Sequence, residues 1–336
     1  MKFTVPSLAG IAALAAALLA APVARAQPPG ITVYNAQHAS LTKAWASAFT
    51  RETGIPVTLR NGSDTEMGNQ IVQEGAASPA DVFLTENSPA MALVDRAKLF
   101  APLPADLLAQ VPANFRPSSG HWVGIAARST VFAYNTKKLT PAQLPASLLD
   151  LADAKWKGRW AASPSGADFQ AIVSALLELK GAAATEAWLA AMKANAVAYR
   201  GNGTALKAVN AGEVDGALIY HYYWFGDQAK TGENSGNTAL HYFRHQDPGA
   251  FVSLSGGGVL ASSTHKAQAE AFLRWITGKG GQDILRTGDS YEYAVGVGAA
   301  SNPKLVPLPE LQAPAIDPAR LNSATVTDLM LKAGLL

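Results

Sequence analysis

Four polar clusters in the sequence directly follow short apolar runs that predict β-strands. They are Asn35-Ala36-Gln37-His38, Glu86-Asn87, Ser165-Gly166-Ala167-Asp168 and His221-Tyr222-Tyr223-Trp224. Ligands of open α/β sheets bind beyond the carboxyl ends of the strands, so these clusters are the candidate binding residues. Imidazole, carboxylate and phenol groups can coordinate metals, and the third cluster opens a predicted helix, where anions bind.

Each cluster also has a purely structural interpretation. His38 could be a polar residue that leads a helix, and Glu86 could favour a helix N-terminus through the helix dipole. Tyr222 and Tyr223 could be half-buried aromatics, one in the core and one at the surface. Both phenols reach one point only where the backbone is irregular, as at a strand exit.

The third cluster has two compatible interpretations. Ser165 and Asp168 resemble a helix capping box with Asp in place of Glu. The same turn offers backbone N–H groups and a hydroxyl, which is how helix N-termini bind anions.

The sequence lacks the Gly-x-Ser-x-Gly, Walker, Gly-x-Gly-x-x-Gly and His-Glu-x-x-His motifs, so catalysis has little support.

Composition excludes several other classes of site. The chain has 336 residues, 27 basic and 25 acidic residues, 49% hydrophobic residues and no cysteine. The absence of cysteine excludes disulfides, thiolate zinc sites, iron–sulfur clusters and cysteine nucleophiles. The small net charge, without a long basic run, argues against a nucleic-acid partner.

The first 26 residues predict a cleaved secretory signal peptide. Lys2 precedes a short apolar run at residues 8–21, and Ala24-Arg25-Ala26 supplies the cleavage pattern, with cleavage after Ala26. An uncleaved anchor is the alternative, but the run is short for a bilayer span. We therefore expect an exported, soluble mature protein.

The rest of the chain alternates strands with helices. Strands are predicted at residues 31–34, 55–59 and 81–85, with a first helix from Ser40 as N-cap to Gly54. This β-α-β-α-β order implies a parallel, doubly wound sheet. Further strands are predicted at residues 130–134, 158–162, 214–219 and 251–260, and further helices at residues 169–176, 186–194 and 267–276.

Taken together, the clusters resemble the periplasmic ferric-ion-binding proteins of bacterial ABC importers. The resemblance rests on Val33-Tyr34-Asn35-Ala36-Gln37-His38, on Pro79-Ala80-Asp81-Val82-Phe83 with Glu86 following, and on Tyr222-Tyr223-Trp224. It implies a two-domain α/β periplasmic-binding-protein fold of type II. The ligand cleft would lie between domains joined by two crossing strands, near residues 128–131 and 251–254.

The resemblance also implies domain boundaries. The N-terminal α/β domain would comprise residues 27–128 and 253–303. The C-terminal α/β domain would comprise residues 129–252 and 304–336. Binding would close the hinge between them.

By resemblance, a ferric ion (Fe³⁺) is the transported ligand and His38, Glu86, Tyr222 and Tyr223 are its protein ligands. A synergistic anion, phosphate or carbonate, would complete the shell. Its binding residues would be Ser165, Gly166, Ala167, Asn202 and Arg128. Tyr220 stands where the family commonly has Asn, which would shift the choice of anion.

The same resemblance implies a periplasmic monomer that is not an enzyme and that delivers iron to the ABC permease of an importer. Chemistry supports the donor set, because Fe³⁺ is a hard cation that prefers anionic oxygen and tolerates imidazole. Two alternatives remain open. One is a protein of the same fold for a polyamine, thiamine or molybdate, and the other is a metal-dependent enzyme.

Overall fold

The computed structural model describes residues 1–2 and 28–336. The predicted cleavage site after Ala26 lies outside the described residues, as does most of the predicted signal peptide. Among the residues described, no helix is both long enough and apolar enough to cross a membrane.

Nine strands within residues 28–336 form one mixed sheet, and helices connect most of its successive strands. The strands are β1 (Ile31–Asn35), β2 (Val57–Asn61), β3 (Val82–Leu84), β4 (Trp122–Asn135), β5 (Trp160–Ala162), β6 (Ala196–Ala198), β7 (Gly216–Tyr220), β8 (Thr238–His241) and β9 (Val252–Val259). The helices are α1 (Ala39–Thr53), α2 (Asp64–Glu74), α3 (Ser88–Arg96), α4 (Ala105–Leu108), α5 (Ala167–Asn195), α6 (Asn202–Ala211), α7 (His221–Lys230), α8 (Lys266–Thr277), α9 (Lys279–Thr287) and α10 (Ser323–Lys332).

The strand order is β2-β1-β3-β9-β4-β7-β5-β6, and β8 also pairs with β4. The predicted parallel pairing is confirmed for β1 with β2 and β3. Strand β5 also pairs in parallel with β7 and with β6, a strand that the sequence did not predict. The prediction of a parallel sheet is wrong for its middle, where β9 runs antiparallel to both β3 and β4. The fold is that of a periplasmic binding protein whose two lobes share the long strands β4 and β9.

Strand β4 changes partner part-way along its length. From Trp122 to Ser129 it pairs with β9, and from Thr130 onward it pairs with β7. The first lobe thus contains β1, β2 and β3, and the second contains β5, β6, β7 and β8. The sequence predicted only residues 130–134 of β4, because the polar run Arg128-Ser129-Thr130 breaks its apolar pattern although all three residues are buried.

Helix α1 packs Leu41, Trp45 and Phe49 into the first lobe and ends at Gly54 in the left-handed conformation, as predicted. The predicted N-cap Ser40 is wrong. The cap position is His38, whose side chain makes no capping hydrogen bond, and Ser40 is exposed in the first turn. His38 is therefore free to point elsewhere.

The last helix joins the lobes from outside. Helix α10 packs on α5, and the Asn322 N–H just before it donates to Ser174 Oγ at 2.9 Å. On the other side, Arg96 Nη1 of α3 donates to the Leu321 carbonyl at 2.9 Å. The C-terminal segment thus touches both lobes.

Candidate metal centre

His38 and Glu86 meet at the carboxyl ends of β1 and β3. These strands pair in parallel, with Asn35 opposite Leu84, so the residues that follow them are neighbours. His38 Nε2 lies 2.9 Å from Glu86 Oε1, and both side chains remain partly exposed to the cleft. The sequence predicted both residues for the site, and the structure brings them together.

The other nitrogen of His38 faces a carboxylate that the sequence did not reveal. His38 Nδ1 lies 2.8 Å from Oε1 of Glu292, whose side chain is fully buried. Glu292 Oε2 in turn lies 2.9 Å from Nη2 of the buried Arg128. Burial alone would raise the pKa of Glu292, but Arg128 and His38 lower it to about 2, so the group is a carboxylate at neutral pH.

His38 carries a positive charge in this setting. Burial alone would lower its pKa, but the hydrogen bonds and charges of Glu292 and Glu86 raise it to about 10. Without a metal, the imidazole is thus held as an imidazolium between two carboxylates.

Tyr222 and Tyr223 lie in the first turn of α7, immediately after β7. Their rings stack with centroids 4.3 Å apart, and both phenols donate to Asp168 Oδ2, at 3.2 and 3.0 Å. The pair follows a strand directly, as predicted, but it lies in the first turn of a helix rather than in irregular backbone, and neither ring is at the surface. The long side chains lean together from a regular helix and reach one oxygen.

Asp168 is the centre of this second set of contacts. Its Oδ2 also accepts from Asn202 Nδ2 at 2.8 Å, and its Oδ1 accepts from Asn87 Nδ2 at 2.9 Å. Burial raises its pKa, and the charge of Glu86 adds to that rise. The predicted capping box of Ser165 and Asp168 is wrong, because the N-cap of α5 is Gly166, without a side-chain cap.

Only some of the residues predicted for the anion come together. Ser165 is exposed, and the Gly166 N–H already donates to the Ser163 carbonyl at 3.0 Å. Ala167 begins α5, and Asn202 is held by Asp168. This turn is therefore less open to an anion than its sequence indicated.

Arg128 and Tyr220 border the same space. Arg128 is completely buried, and its guanidinium carbon lies 5.7 Å from the centroid of the Tyr222 ring. Its Nε and Nη1 atoms have no hydrogen-bond partner among the described residues. The buried Tyr220 hydroxyl donates to Asn87 Oδ1 at 3.3 Å.

The two lobes touch at this site. The His38 ring meets the Tyr222 ring edge-on with centroids 4.9 Å apart, and Asn87 of the first lobe reaches Asp168 of the second. Within residues 1–2 and 28–336, no group of three or more His, Asp or Glu side chains is arranged to hold a metal.

Residues 77–318 match the family model described as bacterial extracellular solute-binding protein. The chain belongs to this family. The resemblance drawn from its sequence motifs is thus confirmed.

Several relatives are similar over nearly the whole chain. A protein of Serratia marcescens named Fe(3+)-binding periplasmic protein is 68% identical and covers 100% of both chains. The major ferric iron-binding protein of Neisseria meningitidis is 39% identical over 96% of this chain and 98% of its own. Among solved structures, iron-bound HitA from Pseudomonas aeruginosa superposes with a TM-score of 0.84. It is 41% identical and covers 92% of this chain and 100% of its own.

Proposed function

We propose that this solute-binding protein captures Fe³⁺ in the periplasm and delivers it to the ABC permease of an iron importer. The observation that carries the proposal is the convergence of four donors from two lobes. His38 and Glu86 are 2.9 Å apart on one side, and both phenols meet one carboxylate oxygen on the other. The names of the relatives, which state ferric iron, support the same ligand.

The donor set fits a hard trivalent cation. Two phenolates and the Glu86 carboxylate carry three negative charges, and imidazole is a tolerated fourth donor. Zinc sites usually contain more His or Cys, and calcium sites contain more carboxylates. A cation also lowers the pKa of its ligands, so phenols that are protonated in the metal-free site can bind as phenolates.

Asp168 is proposed as a fifth ligand of the ion. Its Oδ2 lies where both phenol oxygens converge, so a cation that displaces the phenol protons would face this oxygen too. One position of a six-coordinate ion would then remain for the synergistic anion. The free Nε and Nη1 groups of the buried Arg128 favour an anion near that position.

The charge around the site bears on which anion binds. Asp168 and Glu86 already place negative charge there, which favours singly charged hydrogencarbonate over doubly charged hydrogenphosphate. We therefore propose carbonate over phosphate, held by Arg128, Asn202 and the turn of Ser165, Gly166 and Ala167.

The lobes are proposed to divide at the crossing strands. Residues 27–128 and 253–303 would form one domain, and residues 129–252 and 304–336 the other. The change of partner of β4 at Ser129 and Thr130 supports this division. Opening at that point would separate His38 and Glu86 from the tyrosines and release the ion.

The predicted signal peptide, cleaved after Ala26, would export a monomer to the periplasm. We propose binding rather than catalysis, because the relatives described above are named for binding iron.

Titration of metal-free protein with ferric citrate tests the function. We expect one ion to bind per chain with a visible phenolate-to-iron absorption band. Tyr223→Phe should shift or weaken that band, whereas Tyr199→Phe, which removes a phenol bonded to Glu213 elsewhere, should leave it unchanged. Iron binding without a visible band would exclude the phenolates, and binding of molybdate, thiamine or polyamine instead of iron would support the organic or oxyanion alternative.

Adding anions back to stripped protein tests the fifth donor. Wild type should bind iron with little dependence on the added anion and prefer carbonate to phosphate. Asp168→Asn should bind more weakly and depend more on the anion. If the wild type needs phosphate and Asp168→Asn behaves identically, Asp168 is not a ligand.

A further inference from the structure

We propose that Glu292 is a positioning residue that fixes the His38 ring with Nε2 facing the bound cation. The inference rests on the proposed function and assigns a role to a residue outside the ligand set. Glu292 touches no cleft solvent, since its side chain is fully buried, so its effect must pass through His38.

The two edges of the His38 imidazole are occupied differently. Nε2 faces Glu86 Oε1 in the open part of the cleft, at 2.9 Å, whereas Nδ1 faces Glu292 Oε1 in the interior, at 2.8 Å. A metal can reach only the edge on the cleft. A carboxylate at Nδ1 keeps the proton on that nitrogen and leaves the lone pair of Nε2 for the cation, which also makes the ring a stronger donor.

Glu292 is tied to the backbone of His38 as well as to its ring. The His38 N–H donates to Gln37 Oε1 at 2.7 Å, and Gln37 Nε2 donates to Glu292 Oε2 at 3.1 Å. Gln37 Nε2 also donates to Ser255 Oγ at 2.8 Å. One carboxylate thus determines both the position of the His38 backbone and the orientation of its ring.

The segment that carries Glu292 is itself fixed on the crossing strand. Tyr293 and Ala127 of β4 exchange backbone hydrogen bonds at 2.8 and 3.0 Å. The Tyr291 carbonyl lies 2.7 Å from His221 Nε2, and His221 Nδ1 accepts from the Ser129 N–H at 3.2 Å. Glu292 therefore cannot follow His38 if the ring moves, which is what a positioning residue requires.

A double-mutant cycle on the full protein tests the inference. Fe³⁺ affinity is measured by competition with citrate for wild type, Glu292→Gln, His38→Ala and the double variant. Loss of a carboxylate behind a metal-bound His typically lowers metal affinity by about 10–100-fold. We expect that loss for Glu292→Gln in the presence of His38, and a change of less than about 3-fold in the His38→Ala background.

Asp81→Asn is the matched control, because Asp81 is also a buried acid near a histidine, His265, but lies away from the cleft. It should leave iron affinity unchanged even where it lowers Tm. Equal losses for Glu292→Gln with and without His38 would overturn the inference and make Glu292 a structural partner of Arg128 only.

A measurement on wild type decides the matter even if Glu292→Gln does not fold. Ga³⁺ has the charge of Fe³⁺ and is diamagnetic, so ¹⁵N NMR of histidine-labelled protein can identify both nitrogens of His38. We expect Ga³⁺ on Nε2 and a retained proton on Nδ1. Coordination through Nδ1, or loss of that proton, would overturn the inference. Failure to bind either ion would instead overturn the proposed function.

Discussion

On the first wall of the cleft, His38 lies between Glu86 and Glu292, whereas on the second wall Tyr222 and Tyr223 share Asp168. The first wall holds the His38 imidazolium between the side chains of Glu86 and Glu292. The second wall holds neutral phenols whose pKa values are raised, first by burial and then by Asp168. These two phenols become charged only after their protons leave. A cation must therefore displace one proton from the first wall and two from the second.

The largest expected effect is on the visible absorption of the iron-loaded protein, which should depend on the second wall and not on the first. Replacing Tyr222 and Tyr223 by Phe together should abolish the visible band and most iron binding, because the phenolates give both charge and absorption. His38→Ala should weaken binding but keep the band. Absorption spectra at saturating ferric citrate measure the band in each variant. Loss of the band in His38→Ala would mean that the phenolates cannot bind iron without the first wall.

The next effect is the number of protons released on binding. Two phenols and the His38 imidazolium, whose pKa is about 10, must each lose a proton at pH 7.5. We expect about three protons per iron for wild type and about two for His38→Ala. Calorimetry in buffers of different ionisation enthalpy measures the count, and a wild-type value below about one would mean that the phenols stay protonated.

A smaller effect is the opposite pH dependence of the metal-free and loaded protein. The pKa of His38 is raised from 6.5 to about 10, and that of Asp64 from 3.8 to about 8, the latter mainly by burial. A raised pKa gives stability at low pH that is lost as pH rises through the raised value. The pKa of the buried His221 is lowered from 6.5 to about 4, which adds stability as pH rises to about 6.5. Metal-free Tm should thus fall from about pH 6.5 to pH 9, by about 4 °C or more.

The loaded protein should show the reverse over the same range, because protons compete with the metal for its ligands. Below about pH 4.5 both forms should lose stability, since the pKa of Glu292 is lowered from 4.5 to about 2. Thermal scans with and without iron measure both slopes. A metal-free Tm that rises steadily from about pH 6.5 to pH 9 would contradict the charge assignment of the first wall.

The smallest effect concerns Ser165, beside the second wall. Because Ser165 is exposed and does not cap α5, Ser165→Ala should change the free energy of unfolding by less than about 0.5 kcal/mol. A true capping residue would cost about 1 kcal/mol. Chemical denaturation distinguishes the two, with Ser63→Ala as the positive control, since Ser63 Oγ accepts from the Glu66 N–H.

The polar clusters at strand ends could be recognised in the sequence because strand ends are local features. His38 and Glu86 follow apolar runs whose ends lie together in a parallel sheet, and Tyr222 follows another. No local sequence pattern identifies Glu292 as a site residue. It lies in a loop after α9 and contacts His38 only through tertiary packing. The role of Asp168 was missed for a related reason, since its position suggested a local cap while its partners come from distant elements.

Helix starts were the least predictable local features. Ser40 and Ser165 both precede apolar helical patterns, yet both lie exposed and cap nothing. In each case the helix begins directly after a strand exit, so the geometry of the sheet sets the first turn. By contrast, Gly54 ended its helix as predicted, because its left-handed backbone (φ 75°) is intrinsic to the residue.

The place of β9 between β3 and β4 has a consequence for how the chain is made. The first lobe begins at the N-terminus, but its sheet is incomplete until residues 252–259 have left the ribosome. Until then β3 and β4 expose unpaired edges, and the contacts that close the lobe span about half of the sequence. Such non-local pairing folds slowly. The nascent chain should thus stay unfolded until late in translation. An export channel for unfolded polypeptides requires that state.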